Sequence, residues 1–147
     1  MRAVIQRVKK ASVKILSNNE IRSIGKGLCV FIAIKSSDGM EEIKWFTNKI
    51  LNLRIFPDEM GKLNLSVTDV KGEIMIISNF TLYGDVSKGF RPNFMLSAEP
   101  ETANKIYNEF LEHFTKSTQL TVVSGEFREM MDIELINDGP VTIIIDK

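Results

Sequence analysis

Gly27-Leu28-Cys29-Val30-Phe31-Ile32-Ala33-Ile34 is an unbroken apolar run, and it restricts the possible folds more than any other stretch. It reads as a strand, and a strand that is apolar on both faces must be covered on both. A lone sheet with one face in water is therefore excluded. Cys29 within the run reads as a core residue, since nothing nearby would lower its pKa and make it a nucleophile.

The rest of the chain contains the layers such a strand needs. Ala3–Val8 reads as a strand, and Ala11–Leu16 alternates Val13 and Ile15 against Ser12 and Lys14. After the turn Ser17-Asn18-Asn19-Glu20, Ile21–Ile24 completes a hairpin with them. Asp38 and Glu41 have the spacing of a capping box and predict a helix to about Leu53, with Ile43, Phe46, Ile50 and Leu53 on its buried face. A turn-rich connection, Phe56–Lys62, precedes an alternating Leu63 and Leu65. The clearest helix opens at Ser97 or Glu99-Pro100, with Ala103, Ile106, Tyr107, Phe110, Leu111 and Phe114 along one stripe. Gln119–Ser124, Asp132–Ile136 and Val141–Ile145 read as three more strands. The fold class predicted is α+β: one compact domain over residues 1–147, a β-sheet core of two packed sheets, and two main helices.

Charge and composition remove several functions. The 147 residues carry 19 basic and 19 acidic side chains, so no global positive field draws in a long stretch of nucleic acid. A protein that reads only a nucleic-acid end is still allowed. A single Cys excludes intramolecular disulfides and multi-cysteine zinc sites, and a single His excludes His-pair metal motifs. No metal and no cofactor are predicted, and no phosphate-binding Gly-rich loop is present. His113 lies at the margin of its helix stripe and reads as a surface residue. The N-terminus lacks the apolar core of a secretory signal, and no run approaches the ~20 apolar residues of a membrane span. A cytoplasmic protein is predicted.

Two short stretches break the local rules. Glu73–Leu82 begins as a buried strand, but Ser78-Asn79 stand where Val or Ile would fit. Period two places Ser78 and Phe80 on one face and Asn79 and Thr81 on the other. They read either as a plain strand exit into the Tyr83-Gly84-Asp85 turn or as a functional spot. The other stretch is Asn137-Asp138-Gly139-Pro140-Val141-Thr142, where Pro cannot donate to a ladder. It reads as a turn that launches the last strand.

Together these two stretches resemble the hallmark segments of the D-aminoacyl-tRNA deacylase family: Ser78-Asn79-Phe80-Thr81-Leu82 and Asn137-Asp138-Gly139-Pro140-Val141-Thr142. The similarity extends over the full length, through Ile5-Gln6-Arg7-Val8, Ala11-Ser12-Val13, Arg54-Ile55-Phe56, Gly61–Ser66 and Arg91-Pro92. One position departs: the family has Gln where this chain has Asn79, one methylene shorter. The resemblance implies hydrolysis of the ester joining a D-amino acid, or a mischarged glycine, to the 3′-terminal adenosine of tRNA.

It also implies a homodimer in which a cis Gly139-Pro140 bond is inserted into the partner's active site. Carbonyls of that turn would hold the α-ammonium and exclude an L side chain, with Arg7 bracing the turn. Ser78, Phe80 and Thr81 are the implied catalytic residues, and Asn79, Arg7, Gly139 and Pro140 the implied substrate-binding ones. Backbone N–H groups around Phe80 and Thr81 would form an oxyanion hole, the substrate's ribose 2′-OH would help position water, and Phe80 would line the adenosine pocket. In another version Thr81 is a covalent nucleophile, although no base is evident beside it. Lys88 and Arg91 would meet acceptor-end phosphates. The competing reading is a dimeric, non-catalytic module that binds RNA ends or a protein.

Overall fold

A computed structural model describes every residue from Met1 to Lys147. The apolar run forms β3 (Gly27–Ala33), buried on both faces. It lies inside a six-stranded sheet with β1 (Arg2–Ile15), β2 (Ile21–Ile24), β6 (Glu73–Ser78) and β7 (Val122–Ser124) in the order β2-β1-β3-β6-β7; β8 (Met131–Asp146) pairs with β1. A small second sheet joins β4 (Phe56–Pro57) to β5 (Leu63–Leu65). The helices are α1 (Met40–Asn52) and α2 (Pro100–Lys116), and the fold is α+β.

β3, β6 and β7 are parallel neighbours, so the chain must cross over between them. Both crossovers step the same way across the sheet. Connections of one hand then put both helices on one face. There Ile43, Phe46 and Ile50 of α1 and Ile106, Tyr107, Phe110 and Phe114 of α2 share a core with Leu28, Val30, Ile32, Ile74 and Ile76. The opposite face presents Cys29, Met75 and Ile77, and they pack with Val8, Ala11, Val13 and Ile24. The sheet therefore doubles back to cover its own second face. The reason lies in β1: Ala3 and Ile5 face the helix-side core, whereas Val8, Ala11 and Val13 face the other. Register shifts against β8 flank Val8, and a bulge of this kind bends a strand and changes the face its side chains address.

Several predicted boundaries move. β1 is one strand of 14 residues rather than two, although its second half does pair with Ile21–Ile24. β7 is shorter than Gln119–Ser124. Asp38 does not cap α1: its carboxylate accepts from the Met1 ammonium at 2.6 Å and from the Lys35 N–H at 2.7 Å. The cap is Gly39, whose N–H donates to the Glu42 carboxylate at 3.0 Å. β6 ends at Ser78, and Phe80–Tyr83 forms a 3-10 turn. Finally, β8 continues through Gly139 and Pro140 as a single strand instead of stopping at a turn. β8 pairs with β1 alone, and on such an edge strand Pro's missing N–H is tolerated.

Candidate active site

The first of the two unusual stretches lies at the carboxyl end of a parallel strand, where open sheets with helical crossovers usually bind ligands. Ser78 is the last residue of β6 and pairs with Ile32. The Asn79 N–H donates to the Ile32 carbonyl at 2.8 Å, and the ladder stops there. Asn79 then turns its side chain onto its own backbone: Oδ1 accepts from the Thr81 N–H at 3.1 Å and from the Thr81 hydroxyl at 2.6 Å. Asn competes with regular ladders in this way, which is why period two fails beyond Ser78. The four residues therefore do not divide between two faces of one strand.

Each part of the turn is held from outside. The Phe80 carbonyl accepts from the Ser97 hydroxyl at 3.0 Å, and the Phe80 ring stands edge-on to Phe94 with centroids 5.1 Å apart. Arg2 donates to the Leu82 carbonyl at 3.1 Å, bonds to the Asp146 carboxylate, and lies over the Tyr83 ring. Phe80 and Thr81 are exposed. Thr81 donates its hydroxyl proton to a neutral amide oxygen, which is no base, so nothing here activates it as a nucleophile. Its N–H is also engaged by Asn79. The Phe80 N–H opens the turn, where the turn itself has no acceptor for it.

The second stretch is a bulge in β8. Asn137 pairs with Val8 and Thr142 with Gln6, so Asp138, Gly139, Pro140 and Val141 all lie opposite Arg7. The Gly139-Pro140 bond is cis, and Gly139 has φ +151°. A Cβ on Gly139 would come within 2.5 Å of the Val141 nitrogen. Asn137 braces the bulge from inside, donating to the Arg7 and Val141 carbonyls at 3.0 and 3.1 Å. Arg7, only 8% exposed, donates from Nε to the Asp138 carbonyl at 3.0 Å and pairs with the Asp138 carboxylate at 3.1 Å. Its Nη1 reaches the Ile55 carbonyl. Gly139 and Pro140 themselves are exposed.

Within one chain the two stretches do not meet. Ser78 lies beside Ile32, Ile32 beside Ala3, and Ala3 beside Ile145. Three strand spacings of about 4.8 Å thus separate Ser78 from β8, and Gly139 lies about six residues further along it, so the gap measured along the sheet is about 20 Å. The structure gathers Ser78, Asn79, Phe80 and Thr81 at one place and Arg7, Gly139 and Pro140 at another. Lys88 and Arg91 are exposed in the loop after the turn. His113 is half-buried on α2, and Cys29 is fully buried with its thiol pushed up to about 12 by desolvation. Arg2 and Phe94, which hold the turn, carry no local signal in the sequence. Ser97 reads as a helix start, but the helix is capped at Glu99 and Ser97 donates to Phe80 instead. Asn137 is visible only as turn chemistry.

Two braced backbone turns stand on a mixed sheet, one closing a parallel strand and one bulging from an edge strand, and their exposed residues, Phe80, Thr81, Gly139 and Pro140, carry no charge. Residues 4–146 match the family described as D-Tyr-tRNA(Tyr) deacylase, and the chain belongs to that family. It is 53% identical over 147 residues to a D-aminoacyl-tRNA deacylase of Clostridium botulinum (strain Alaska E43 / Type E3), covering 100% of this chain and 97% of the relative. A D-aminoacyl-tRNA deacylase of Natranaerobius thermophilus is 47% identical with the same coverage. Among solved structures, the chain resembles one named c-Myc DNA Unwinding Element Binding Protein, with a TM-score of 0.92 and 41% identity, covering 100% of this chain and 99% of that one.

Proposed function

We propose that this protein hydrolyses the ester between a D-amino acid, or a mischarged glycine, and the 3′-terminal adenosine of tRNA. Family membership supports the reaction class. The observation that supports the site is the separation of the two turns: about 20 Å within one chain, given the spacing of strands, so a site using both needs two chains. In the homodimer of this reading, Gly139-Pro140 of one protomer enters beside Ser78–Thr81 of the other. The enzyme acts in the cytoplasm, where aminoacyl-tRNA is made and used.

Water attacks the ester carbonyl, the tetrahedral oxyanion forms, and the bond to the ribose 3′ oxygen breaks, releasing amino acid and tRNA. The Phe80 N–H is the available donor for the oxyanion, because the Thr81 N–H already serves Asn79. A preorganised donor of this kind stabilises the transition state without reorganising. The ribose 2′-OH positions the water, and the Phe80 ring lines the adenosine pocket. Carbonyls of the Gly139-Pro140 turn take the α-ammonium and leave no space for an L side chain. Selection is by exclusion, so glycine passes because it has no Cβ. Arg7 and Asn137 brace the bulge that carries those carbonyls.

The second reading is a dimeric module that binds a nucleic-acid end or a protein without turnover. The solved relative named as a DNA-element binding protein favours it; the equal count of 19 acidic and 19 basic residues disfavours a grip on long duplexes. Incubation with D-Tyr-tRNA and L-Tyr-tRNA separates the two. Rapid loss of the D ester alone supports the deacylase, and binding without hydrolysis supports the module.

A further inference from the structure

Immediately after the 3-10 turn, the chain forms a loop that is closed at its neck and open at its tip. Asp85 and Asn93 exchange two backbone hydrogen bonds, at 2.8 and 3.0 Å. The Asp85 carboxylate accepts from the Ser87 N–H at 2.8 Å, and the Asn93 side chain accepts from the Met95 N–H at 3.0 Å. The neck is wedged against the candidate site: Gly84 lies under Phe94, where a Cβ would be 3.1 Å from the ring, and Phe94 supports Phe80. The loop's position relative to Phe80 is therefore set by packing.

Beyond the neck the side chains point outward. Phe90 is fully exposed, at 105%, next to Gly89 with φ +84°. Lys88 and Arg91 flank it, both exposed and in no ion pair or hydrogen bond. No acidic side chain occurs in Val86–Pro92, so a small cationic patch stands out on a chain with no net charge. An exposed aromatic ring between two free cations matches an unpaired nucleotide strand, in which bases stack on rings and phosphates meet cations. A second copy of this chain fits less well, because a two-fold contact centred on the loop would bring like charges together.

We propose that Val86–Pro92 is a platform for the unpaired 3′ end of the tRNA, with Phe90 stacking on a base and Lys88 and Arg91 meeting adjacent phosphates. This rests on the deacylase reading, since the loop adjoins the turn where the ester would be cleaved.

The test compares D-Tyr-tRNA with 3′-O-D-tyrosyl-adenosine, which retains the ester and lacks the preceding nucleotides. For Phe90→Ala the ratio of kcat/KM on tRNA to that on the nucleoside ester is expected to fall about tenfold, through KM. Phe90→Trp restores it. Lys88→Ser/Arg91→Ser should lower the slope of log KM against log salt by about 1.4, the value for two single-strand phosphates. An unmoved ratio and slope overturn the platform while leaving the deacylase reading intact. Conversion of the Phe90→Ala dimer to a monomer by light scattering also overturns it, since the loop would then be a subunit contact. If wild-type protein cleaves neither D ester, the deacylase reading falls and the platform with it.

Discussion

The Asn79 side-chain oxygen accepts both the N–H and the hydroxyl of Thr81, at 3.1 and 2.6 Å. The hydroxyl proton thus points at an amide that cannot remove it. Thr81→Ala is expected to keep the single-turnover rate on D-Tyr-tRNA within about tenfold; a loss near ~10³-fold would make Thr81 the nucleophile. Asn79→Ala removes the same cap and should cost about 1 kcal/mol, read as a fall of about 3 °C in Tm.

Arg7 is buried among acceptors, so its loss leaves the Asp138 carboxylate and the Ile55 carbonyl without their donor. Arg7→Met should destabilise by about 3 kcal/mol in urea melts. Arg7→Lys should recover only part, because an ammonium cannot span the same fork of acceptors. Both variants should lose D-ester hydrolysis at temperatures where they remain folded.

Gly139 holds a backbone conformation that L residues rarely adopt, and a Cβ there meets the Val141 nitrogen. Gly139→Ala is expected to cost about 1–3 kcal/mol and to inactivate the site. Phe80→Ala, at an exposed ring, should inactivate with little loss of stability. If the site is shared between chains, refolding the two variants together produces hybrid dimers with one intact site. About a quarter of wild-type activity should then return, as two-fold symmetry requires. No recovery would place both elements in a single chain.

Cys29 belongs to the second core, with its thiol pushed up to about 12 by burial. Native protein at pH 8 should not react with a thiol-specific disulfide reagent over minutes, whereas protein in denaturant should react at once. Fast labelling of native protein would show that the second core opens locally.

Acid should weaken the loops first. Hydrogen bonds from Ser66 hold Asp69 below the ordinary carboxylate range, those from Lys62 and Met60 do so for Asp58, and those from Ser87 for Asp85. Ionised forms are favoured in the folded state, so this contribution is complete above the unfolded value, about 4. It is lost as pH falls through the lower folded values. Tm should drop below about pH 4, and Asp69→Asn should make that acid limb shallower.

Much of this protein is legible from neighbouring residues. The apolar run of β3 requires cover on both faces, the α2 stripe determines which side packs inward, and Asn137-Asp138-Gly139-Pro140 marks an interruption, because periodicity and turn chemistry act over a few bonds. Those signals cannot say which strands meet. Only the pairing of β8 with β1 turns the expected loop into a bulge opposite Arg7, and only that bulge gives a cation in a strand a reason to be buried. Arg2 reaches Leu82 from 80 residues away, and Ser97 reaches Phe80 from 17, with nothing local to announce either. The separation of the two backbone turns within one chain is a distance across four strands. Strand order and register set that distance, and they arise from long-range hydrogen bonds and shared burial that no short stretch of sequence contains.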